Sequence, residues 1–312
     1  NDLPITVLSL PFEPHPAASA SVFDYSLYGN NGTVYGAIYD ATGGKLGGAY
    51  QFDGIDDFIV IPDDPTLDLI YDISIDLWVK FSSLSDHIPL LVKDSNAFGV
   101  NATNYGLRTG GAATGTSVNQ LEFIFDTLSG ENAYTTATAN LQPNQWYHVA
   151  VVKPYLSSPE IYLNGILQTG QCTLGNCVQD ILDSNAPIRL GDAVVGNAHH
   201  YLAGTLDEVH VYDLPLTSLQ INEYLSLNYQ HLTEDMTLPG DQWYCAVTPH
   251  DTESDGLTKF SPTLDILDSG NSSTNFGGGS GSPYQYAFDW YVDEEPSVTY
   301  TLQTTWEINI HN

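Results

Sequence analysis

The amino-acid sequence predicts an all-β protein in which a large sandwich is followed by a smaller β-domain. Short runs of alternating apolar and polar residues recur along the chain, and clusters of Gly, Asn, Asp, Pro and Ser separate them, as in β-sandwiches and barrels. Helix signals are almost absent. The one good candidate is residues 218–225, where Thr217 or Ser218 serves as N-cap and apolar residues follow at helical spacing. Hydrophobic residues make up 42% of the 312 residues, which is enough for an extended core.

The predicted strands of the first domain are the apolar, β-branched or aromatic runs between these turn clusters. The first run, residues 6–12, precedes a loop rich in Gly and Asn at residues 28–33. The helix at residues 218–225 closes this domain, which we place at residues 1–228. The remaining predicted strands are residues 49–52, 58–61, 73–81, 88–92, 99–103, 121–126, 146–152, 160–163, 188–191 and 206–212.

The second predicted domain comprises residues 229–312. Residues 240–251 form an apolar run that ends in a turn, and residues 257–267 contain the returning strand. A Gly- and Ser-rich stretch at residues 269–282 has the composition of a flexible loop. The last part, residues 284–310, is rich in aromatic and β-branched residues and predicts two or three strands.

The charge of the chain argues against two classes of partner. Seven Lys and Arg residues stand against 38 Asp and Glu residues, which gives a net charge of −31. A surface of this sign repels nucleic-acid phosphates and anionic membranes. No apolar run reaches the ~18 residues that a membrane-spanning helix needs, so we expect no membrane insertion. The N-terminus also lacks the pattern of a signal peptide, so an exported protein would be present here in its mature form.

Five segments of the first domain carry a resemblance to a known family. They are YQFDGIDDF (residues 50–58), ISIDLWVK (73–80), QWYHVAVV (145–152), EIYLNG (160–165) and LDEVHVY (206–212). In this order and spacing they resemble the LamG-like (laminin G type 3, concanavalin A-like) jelly-roll domain. The resemblance implies a domain that binds or presents surfaces and rarely catalyses a reaction by itself.

A catalytic function is not expected. Glycosidases of the concanavalin A-like fold place an acid and a nucleophile a few residues apart on one strand face, and retention requires two carboxyl groups about 5 Å apart. The sequence has no such carboxylate run, and Glu122 and Asp76 each stand alone on a predicted strand. A nucleophile-elbow motif and a phosphate-binding loop are absent as well.

The resemblance implies a calcium ion on the convex side of the jelly roll, between the first strand and the last. Carboxylates and carbonyls from distant segments would meet there, and Ca²⁺ prefers such oxygen ligands. Carried over to this sequence, the implied ligands are Glu13, Asp24 or Asn30, a backbone carbonyl near Gly48, and Asp207. Alternatively, Asp207 and Glu208 only cap the end of a strand.

A second acidic group consists of Asp53, Asp56 and Asp57. These residue types favour turns, so turn geometry alone explains them, and a binding loop is the alternative. His199 and His200 are adjacent, and neighbouring residues of a strand point to opposite faces, so the pair could share a metal only within a loop. A solvated pair is the simpler interpretation.

The aromatic residues divide into predicted core and predicted loops. Trp78, Trp146, Phe52 and Phe125 lie in alternating strands, so they are expected in the core. Three tyrosines are placed in loops, where they either stack on sugar rings or are ordinary surface residues. These are Tyr105, Tyr134 and Tyr201.

The cysteines and the glycosylation signals point to an extracellular protein. Cys172 and Cys177 flank a short loop and are expected to form a disulfide, which indicates an oxidising compartment. Cys245 is left over, so it is either buried or paired between chains. Three Asn-x-Ser/Thr acceptors make glycosylation an expectation. They are Asn31, Asn101 and Asn271.

The second domain carries a shorter resemblance. The segment GDQWYCAVTPHDTESDG, residues 240–256, resembles one that follows LamG-like domains in archaeal and bacterial surface proteins, and it is similar to the last hairpin of an immunoglobulin-like domain. An immunoglobulin-like sandwich has about seven strands, and residues 231–312 predict fewer. An incomplete sandwich exposes a strand edge, and such edges pair with strands of other chains.

The sequence therefore predicts an extracellular structural or adhesive surface protein, a subunit of a filament or surface assembly whose copies are joined by β-strand exchange. The donor strand would come from the N-terminal segment or from the C-terminal strands. The alternative is a calcium-dependent, carbohydrate-binding lectin module. The expected partners are other copies of the chain or surface glycans.

Overall fold

The computed structural model describes residues 6–13, 20–94, 103–112, 115–137, 139–195 and 198–226, together with short strands between residues 242 and 308. The chain divides into two compact units, residues 1–230 and residues 231–312. Strands account for 50% of the chain and helix for 5%, which confirms the predicted all-β class.

The first unit contains two antiparallel sheets. The strands of the eight-stranded sheet, in chain order, are β1 (Thr6–Leu10), β4 (Ile38–Asp40), β5 (Ala49–Asp53), β7 (Ile73–Phe81), β12 (Trp146–Lys153), β13 (Glu160–Leu163), β14 (Ile166–Leu167) and β19 (Ala203–Tyr212). The central strand β7 lies between β12 and β19, and the first strand β1 pairs with the last strand β19.

The strands of the second sheet, in chain order, are β2 (Ser21–Val22), β3 (Gly32–Tyr35), β6 (Phe58–Ile61), β8 (Pro89–Asp94), β9 (Thr103–Thr109), β10 (Leu121–Thr127), β11 (Gly130–Thr136), β15 (Gly170–Leu174) and β16 (Ile188–Leu190). Across the sheet these nine strands lie in the order β15-β11-β10-β9-β8-β16-β6-β3-β2. A separate two-stranded ribbon, β17 (Asp192–Val195) with β18 (Ala198–Tyr201), follows β16, and Pro65–Leu67 forms a 3₁₀ turn.

The core is one hydrophobic cluster to which both sheets contribute. Strand β10 shows how the two-residue period of a strand builds it. Leu121, Phe123 and Phe125 are fully buried in this cluster. Glu122 and Asp126, at alternate positions of the strand, lie on its opposite face. The alternation that predicted these strands therefore also determines which sheet face is apolar.

The helix α1 (Ser218–Ser226) confirms the predicted helix. Thr217 is its N-cap: the backbone amide of Gln220 donates to Thr217 Oγ1 at 3.3 Å, and the amide of Thr217 donates to Gln220 Oε1 at 2.8 Å. This reciprocal pair is a capping box. Ile221 is buried in a second apolar cluster with residues of β12, β13 and the end of β19, so α1 covers one end of the outer face of the eight-stranded sheet.

The placement of several aromatic residues differs from the prediction. Tyr105 lies in β9 and is fully buried, and its hydroxyl donates to the carbonyl of Leu67 at 3.0 Å. Tyr134 and Tyr201 also lie in strands, β11 and β18. Trp78 is buried but lies outside the main core, on the outer face of β7. The sequence predicts loops for these three tyrosines because polar residues surround them. A strand with one polar face has the same composition.

The second unit contains five short strands in the described part of the chain. Two of them pair with each other, and β21 pairs with both β22 and β24, all antiparallel. Cys245 begins β21. The predicted Gly/Ser-rich loop at residues 269–282 and Asn271 lie outside the described residues, and the immunoglobulin-like character of this unit stays a prediction. The strands are β20 (Gln242–Trp243), β21 (Cys245–His250), β22 (Lys259–Phe260), β23 (Leu264–Asp265) and β24 (Gln303–Ile308).

Two further features bear on the cellular setting of the chain. Cys172 and Cys177 form a disulfide with their Cα atoms 5.8 Å apart. Asn31 is exposed, whereas Asn101 lies outside the described residues. Among the residues that the structure describes, no helix is long and apolar enough to cross a membrane.

Candidate functional sites

The loop of residues 44–48 lies against β19 and is held there by Asp207. The Asp207 side chain is fully buried. Its Oδ2 accepts hydrogen bonds from the backbone amides of Lys45 at 2.7 Å and Leu46 at 3.0 Å. The ammonium group of Lys45 lies 4.7 Å from the centre of the Trp78 ring, which adds a cation–π contact on the outer face of the sheet.

Oxygen atoms crowd around the glycines of this loop. A Cβ atom on Gly44 would lie 2.3 Å from the carbonyl oxygen of Gly48, 2.4 Å from that of Leu46 and 2.7 Å from Asp207 Oδ2. A Cβ atom on Gly47 would lie 2.4 Å from Glu13 Oε2. Glycine is required here because any side chain would collide with these oxygens. The same convergence brings together three of the predicted calcium ligands: Glu13, Gly48 and Asp207.

A bulge in β19 shapes this site. Asp207 pairs with Trp78 and His210 pairs with Asp76, so three steps along β19 match two steps along β7. The extra residue lies within this interval, where Glu208 has a φ of 48°. A bulge changes the faces to which the side chains of a strand point. Asp207 and Glu208 are consequently both buried, although they are consecutive.

The buried carboxyl of Asp207 resists ionisation in the absence of a cation. Burial raises the pKa of Asp207 to about 8, and the neighbouring Glu208 carboxylate adds to this effect. Burial also raises the pKa of Tyr39 to about 12, with further contributions from Glu13 and Asp207. A divalent cation would offset this concentration of negative charge. Carboxylates and backbone carbonyls at this spacing are the ligands that Ca²⁺ prefers, so the residues present fit the ion.

The predicted ligands Asp24 and Asn30 lie in a hydrogen-bonded loop. Asp24 Oδ1 accepts from the amides of Ser9 at 2.7 Å and Ser26 at 2.9 Å, and its Oδ2 accepts from the amide of Asn30 at 2.7 Å. Asn30 Nδ2 donates to the carbonyl of Val7 at 3.1 Å. These bonds tie the loop after β1 to the strand itself. The role of Asp24 and Asn30 as ligands stays a prediction.

The acidic group Asp53, Asp56 and Asp57 is brought together in a turn, where one carboxylate oxygen of each lies within 4.8 Å of the others. Asp53 Oδ1 accepts from the amide of Ile55 at 2.7 Å, and Asp57 Oδ2 accepts from the amide of Asp53 at 2.8 Å. These are the bonds by which Asp residues stabilise turns, so turn geometry accounts for their position.

Aromatic and charged side chains form a continuous strip on strands β3, β6, β16 and the β17–β18 ribbon. The Tyr35 ring is 48% exposed and stacks on Phe58 with ring centres 4.7 Å apart. At the other end, the rings of His199 and Tyr201 are stacked and nearly parallel, with ring centres 5.6 Å apart. We call this strip the aromatic surface; its members are Tyr35, Phe58, Arg189, Asp192, His199 and Tyr201.

Two charged residues join the ends of the aromatic surface. The guanidinium of Arg189 lies 4.4 Å from the centre of the Phe58 ring. Arg189 Nε also donates to Asp192 Oδ2 at 2.8 Å, and Asp192 Oδ1 lies 3.1 Å from Nδ1 of His199. The position of each polar group is therefore determined by an ion pair, while Tyr35 at one end is exposed and Tyr201 at the other end is partly buried.

The outer face of the eight-stranded sheet also contains a buried polar network. Asp76 Oδ1 lies 3.1 Å from Nδ1 of His210 and accepts from the Tyr212 hydroxyl at 3.4 Å. Asp76 Oδ2 lies 3.3 Å from Nε2 of His148. Burial opposes ionisation of Asp76, but the two histidines outweigh it and lower its pKa to about 2. Burial likewise opposes the charged form of His210, whereas Asp76 and Glu208 raise its pKa.

Most of these partners have no signal in the sequence. Asp76 and Glu122 each stand alone along the chain, but the fold pairs Asp76 with two histidines and places Arg108 Nε 3.0 Å from Glu122 Oε2. The partners lie on neighbouring strands, at register positions that depend on the whole sheet. The alternation of β9 and β10 put Arg108 and Glu122 on the polar face, and this is the one signal that pointed to their pairing.

The fold and these sites define a jelly-roll domain of the concanavalin A-like class. The chain belongs to the Laminin_G_3 family, described as the concanavalin A-like lectin/glucanases superfamily, whose family model matches residues 53–222. No protein of curated function matches the chain in sequence.

Solved structures show the same fold at low sequence identity. Domain 4 of AbnA, an extracellular arabinanase from Geobacillus stearothermophilus in complex with arabinotriose, is 19% identical with a TM-score of 0.50, and the match covers 72% of this chain and 100% of that one. The binding domain of Paraclostridial Mosquitocidal Protein 1 is 15% identical with a TM-score of 0.55, over 80% and 61% of the two chains. A Trypanosoma rangeli sialidase is 16% identical with a TM-score of 0.50, over 73% and 33%.

Proposed function

We propose that this chain is a calcium-binding, carbohydrate-recognising module of an extracellular surface protein. The observation that carries this proposal is the aromatic surface, in which a pair of rings lies at each end and ion-paired polar groups lie between the two pairs. The calcium site has a structural role, because the proposed ligands Glu13 and Asp207 join the loop after the first strand to the last strand of the domain.

Carbohydrates match the chemistry of the aromatic surface. One face of a pyranose or furanose ring consists largely of C–H groups, which pack on aromatic rings such as Tyr35 and Tyr201. The hydroxyl groups around the ring need hydrogen-bonding partners held in place, and the partly exposed Arg189 guanidinium, which the buried Asp192 holds in position, supplies donors. The arabinotriose bound to the arabinanase domain of the same fold is in keeping with this class of ligand.

The extracellular location is supported by the disulfide that links Cys172 of β15 to the buried Cys177 in the turn that follows, since such a bond suits an oxidising compartment. A calcium site with an oxygen ligand set also suits the millimolar calcium outside cells. We propose no catalytic activity for this module.

Binding of neutral oligosaccharides, beginning with arabinotriose, tests the function by titration calorimetry in calcium-containing buffer. We expect the double variant Tyr35→Ala/Tyr201→Ala to bind about tenfold more weakly or worse, since each stacked ring contributes on the order of 1 kcal/mol. Tyr71 and Tyr155 form an exposed ring pair outside the aromatic surface, with centres 5.2 Å apart. The matched variant Tyr71→Ala/Tyr155→Ala should bind as the unchanged protein does.

A glycan array on which the unchanged protein binds no glycan would contradict the proposed function. Equal losses in the two double variants would contradict the assignment to the aromatic surface, because a general loss of structure affects both.

The adhesive and assembling role depends on the second unit. Residues 6–10 belong to the core sheet of the first unit, so we propose that the exchanged strand is β24, which pairs with β21 of its own chain here and would pair with β21 of a neighbouring copy after exchange. We expect a concentration-dependent rise in mass by light scattering in calcium buffer, and its loss on deletion of residues 303–312. A monomeric mass at high protein concentration would contradict assembly and leave carbohydrate binding unaffected.

A further inference from the structure

Lys93 is a fully buried lysine near the end of β8. It lies directly opposite Tyr105 of β9 and Ile188 of β16, so its side chain shares the core face of the sheet with these two residues. Its Nζ lies 2.5 Å from Asp63 Oδ1 and 3.0 Å from Asp68 Oδ1, and the Lys93 side chain is 0% exposed. One buried amine therefore faces two carboxyl groups, both in the segment after β6.

The hydrogen bonds of this group leave one oxygen atom over. Lys93 Nζ donates to Asp63 Oδ1 at 2.5 Å, and to the backbone carbonyls of Ser184 at 2.8 Å and Ala186 at 2.7 Å. These three bonds use all three protons of the ammonium group. Asp68 Oδ1 is buried and has no hydrogen bond within the part of the chain that the structure describes, although it lies beside the amine. Buried polar atoms nearly always have partners, so this oxygen calls for an explanation.

We propose that Lys93 and Asp63 become joined by an intramolecular isopeptide bond, with Asp68 as the group that moves the proton. The ion pair is the unreacted state of this site. Asp68 takes a proton from the ammonium group, which frees the lone pair of Lys93 Nζ for attack on Cγ of Asp63. The new N–C bond forms and one Cγ–O bond breaks.

The atoms and charges of this step balance without any other reactant. The oxygen that leaves Asp63 takes two protons from the nitrogen, one of them through Asp68, and departs as one molecule of water. An ammonium and a carboxylate thus become a neutral amide, and Asp68 returns to its starting state. The step therefore consumes no cofactor, oxidant or nucleotide.

The fold supplies the conditions that this condensation needs. Contact between Nζ and the Asp63 carboxyl turns a reaction between two molecules into a step within one. Burial of charged groups is costly, and the amide replaces two of them by a neutral group. Burial also raises the pKa of Asp68, which suits a group that must hold a proton in passing. The Asp63 side chain is 28% exposed, so the released water has a path to solvent.

The bond would clamp one strand of the nine-stranded sheet. Lys93 and Asp63 are 30 positions apart in the chain, and β16 lies between β8 and β6 in the sheet. A covalent link across it restricts the unfolded chain as a disulfide does, but reducing agents do not break it. Strand β16 carries Arg189, so the bond would also hold the middle of the aromatic surface. It depends on neither calcium nor carbohydrate.

The mass of the denatured full chain, produced without glycans, tests the proposal. We expect the unchanged protein to be lighter than its sequence by one molecule of water, after allowance for the disulfide. Trypsin cleaves after Lys and Arg but not after an acylated lysine, so residues 46–80 should stay attached to residues 81–108. Separate peptides of residues 46–80, 81–93 and 94–108 would show a simple ion pair and overturn the proposal.

Two conservative variants report on the chemistry. Asp63→Asn should form the same amide with loss of ammonia instead of water, so its linked product should have the same mass as that of the unchanged protein. Asp68→Asn cannot take up the proton, so most of its chains should keep the full sequence mass. Complete bond formation in Asp68→Asn would contradict the role of Asp68.

Lys80→Met is the matched control for Lys93→Met. Lys80 lies over the Trp146 ring, with its Nζ 4.8 Å from the ring centre, and no ion pair of Lys80 is present among the described residues. Lys80→Met should therefore keep the loss of one water, and Lys93→Met should lack it. A loss of water that persists in Lys93→Met would overturn the proposal, even if that variant is poorly folded, because its mass is measured on the denatured chain.

Discussion

Without calcium, the protein is expected to lose stability as the pH rises from about 5 to about 8, and saturating calcium is expected to remove most of this loss. The cause is the buried carboxyl of Asp207, whose pKa is raised to about 8. The metal-free native protein keeps a proton on Asp207, whereas the unfolded chain releases it near pH 4.

The sign of the effect follows from proton counting. Between about pH 4 and pH 8 the native state binds more protons at Asp207 than the unfolded state, so the free energy of unfolding falls as the pH rises. Each pKa unit corresponds to about 1.4 kcal/mol, so Asp207 accounts for a few kcal/mol. His210, with its raised pKa, adds a loss of the same sign at the upper end of the range. Asp76 has the opposite effect at low pH. Because its pKa is lowered to about 2 in the native protein, the free energy of unfolding falls as the pH drops below about 4.

Thermal melts across this pH range, with calcium and with a chelator, measure the effect. The variant Asp207→Asn cannot ionise, so its metal-free form should show a flatter pH dependence and should gain little from calcium. Asp53→Asn, in the exposed acidic turn, should keep the full response. A response lost in Asp53→Asn and kept in Asp207→Asn would move the calcium site to that turn.

The second large effect is expected at Asp76. Replacing it by Asn removes the anionic partner of His148 and the nearer anionic partner of His210, whose Nε2 still lies 3.6 Å from Glu208 Oε2. Breaking a buried ion pair from one side costs about 3–5 kcal/mol. The pKa of His210 should fall, because burial opposes its charged form and only Glu208 and Asp207 then remain to raise it. Urea denaturation measures the loss of stability, and the NMR signals of the His210 ring measure the change in pKa.

The control for Asp76→Asn is Asp183→Asn, because Asp183 is exposed. A substitution of an exposed residue of this kind usually changes stability by less than about 0.5 kcal/mol. If Asp76→Asn were as stable as Asp183→Asn, or if the His210 ring titrated as before, the network would not hold charge in the way that its geometry indicates.

The sequence predicted the parts of the fold that depend on local patterns. Alternation located most strands of the first unit, and an N-cap at Thr217 or Ser218 before apolar residues at helical spacing located the helix, whose N-cap in the structure is Thr217. The proposed calcium ligands Glu13 and Asp207 followed from a resemblance, since nothing local connects two residues so far apart in the chain. The fold brings them together because β1 pairs with β19.

Other parts of the sites could not be predicted. The pairs Asp76–His210 and Arg108–Glu122 depend on strand register, which the complete sheet determines.

The pairing of the first strand with the last also determines how the domain would respond to a pulling force. Thr6 lies opposite Tyr212, and Leu10 lies opposite Val209, so the chain enters and leaves this strand pair at the same end. Tension between residues 6 and 212 would load the hydrogen bonds one after another, as in an opening zipper. The separation of the two strands would proceed toward Leu10, and beyond that point lie Glu13 and Asp207. A calcium ion held there would act as a mechanical stop, and the resistance of the domain to tension would depend on the calcium concentration around it.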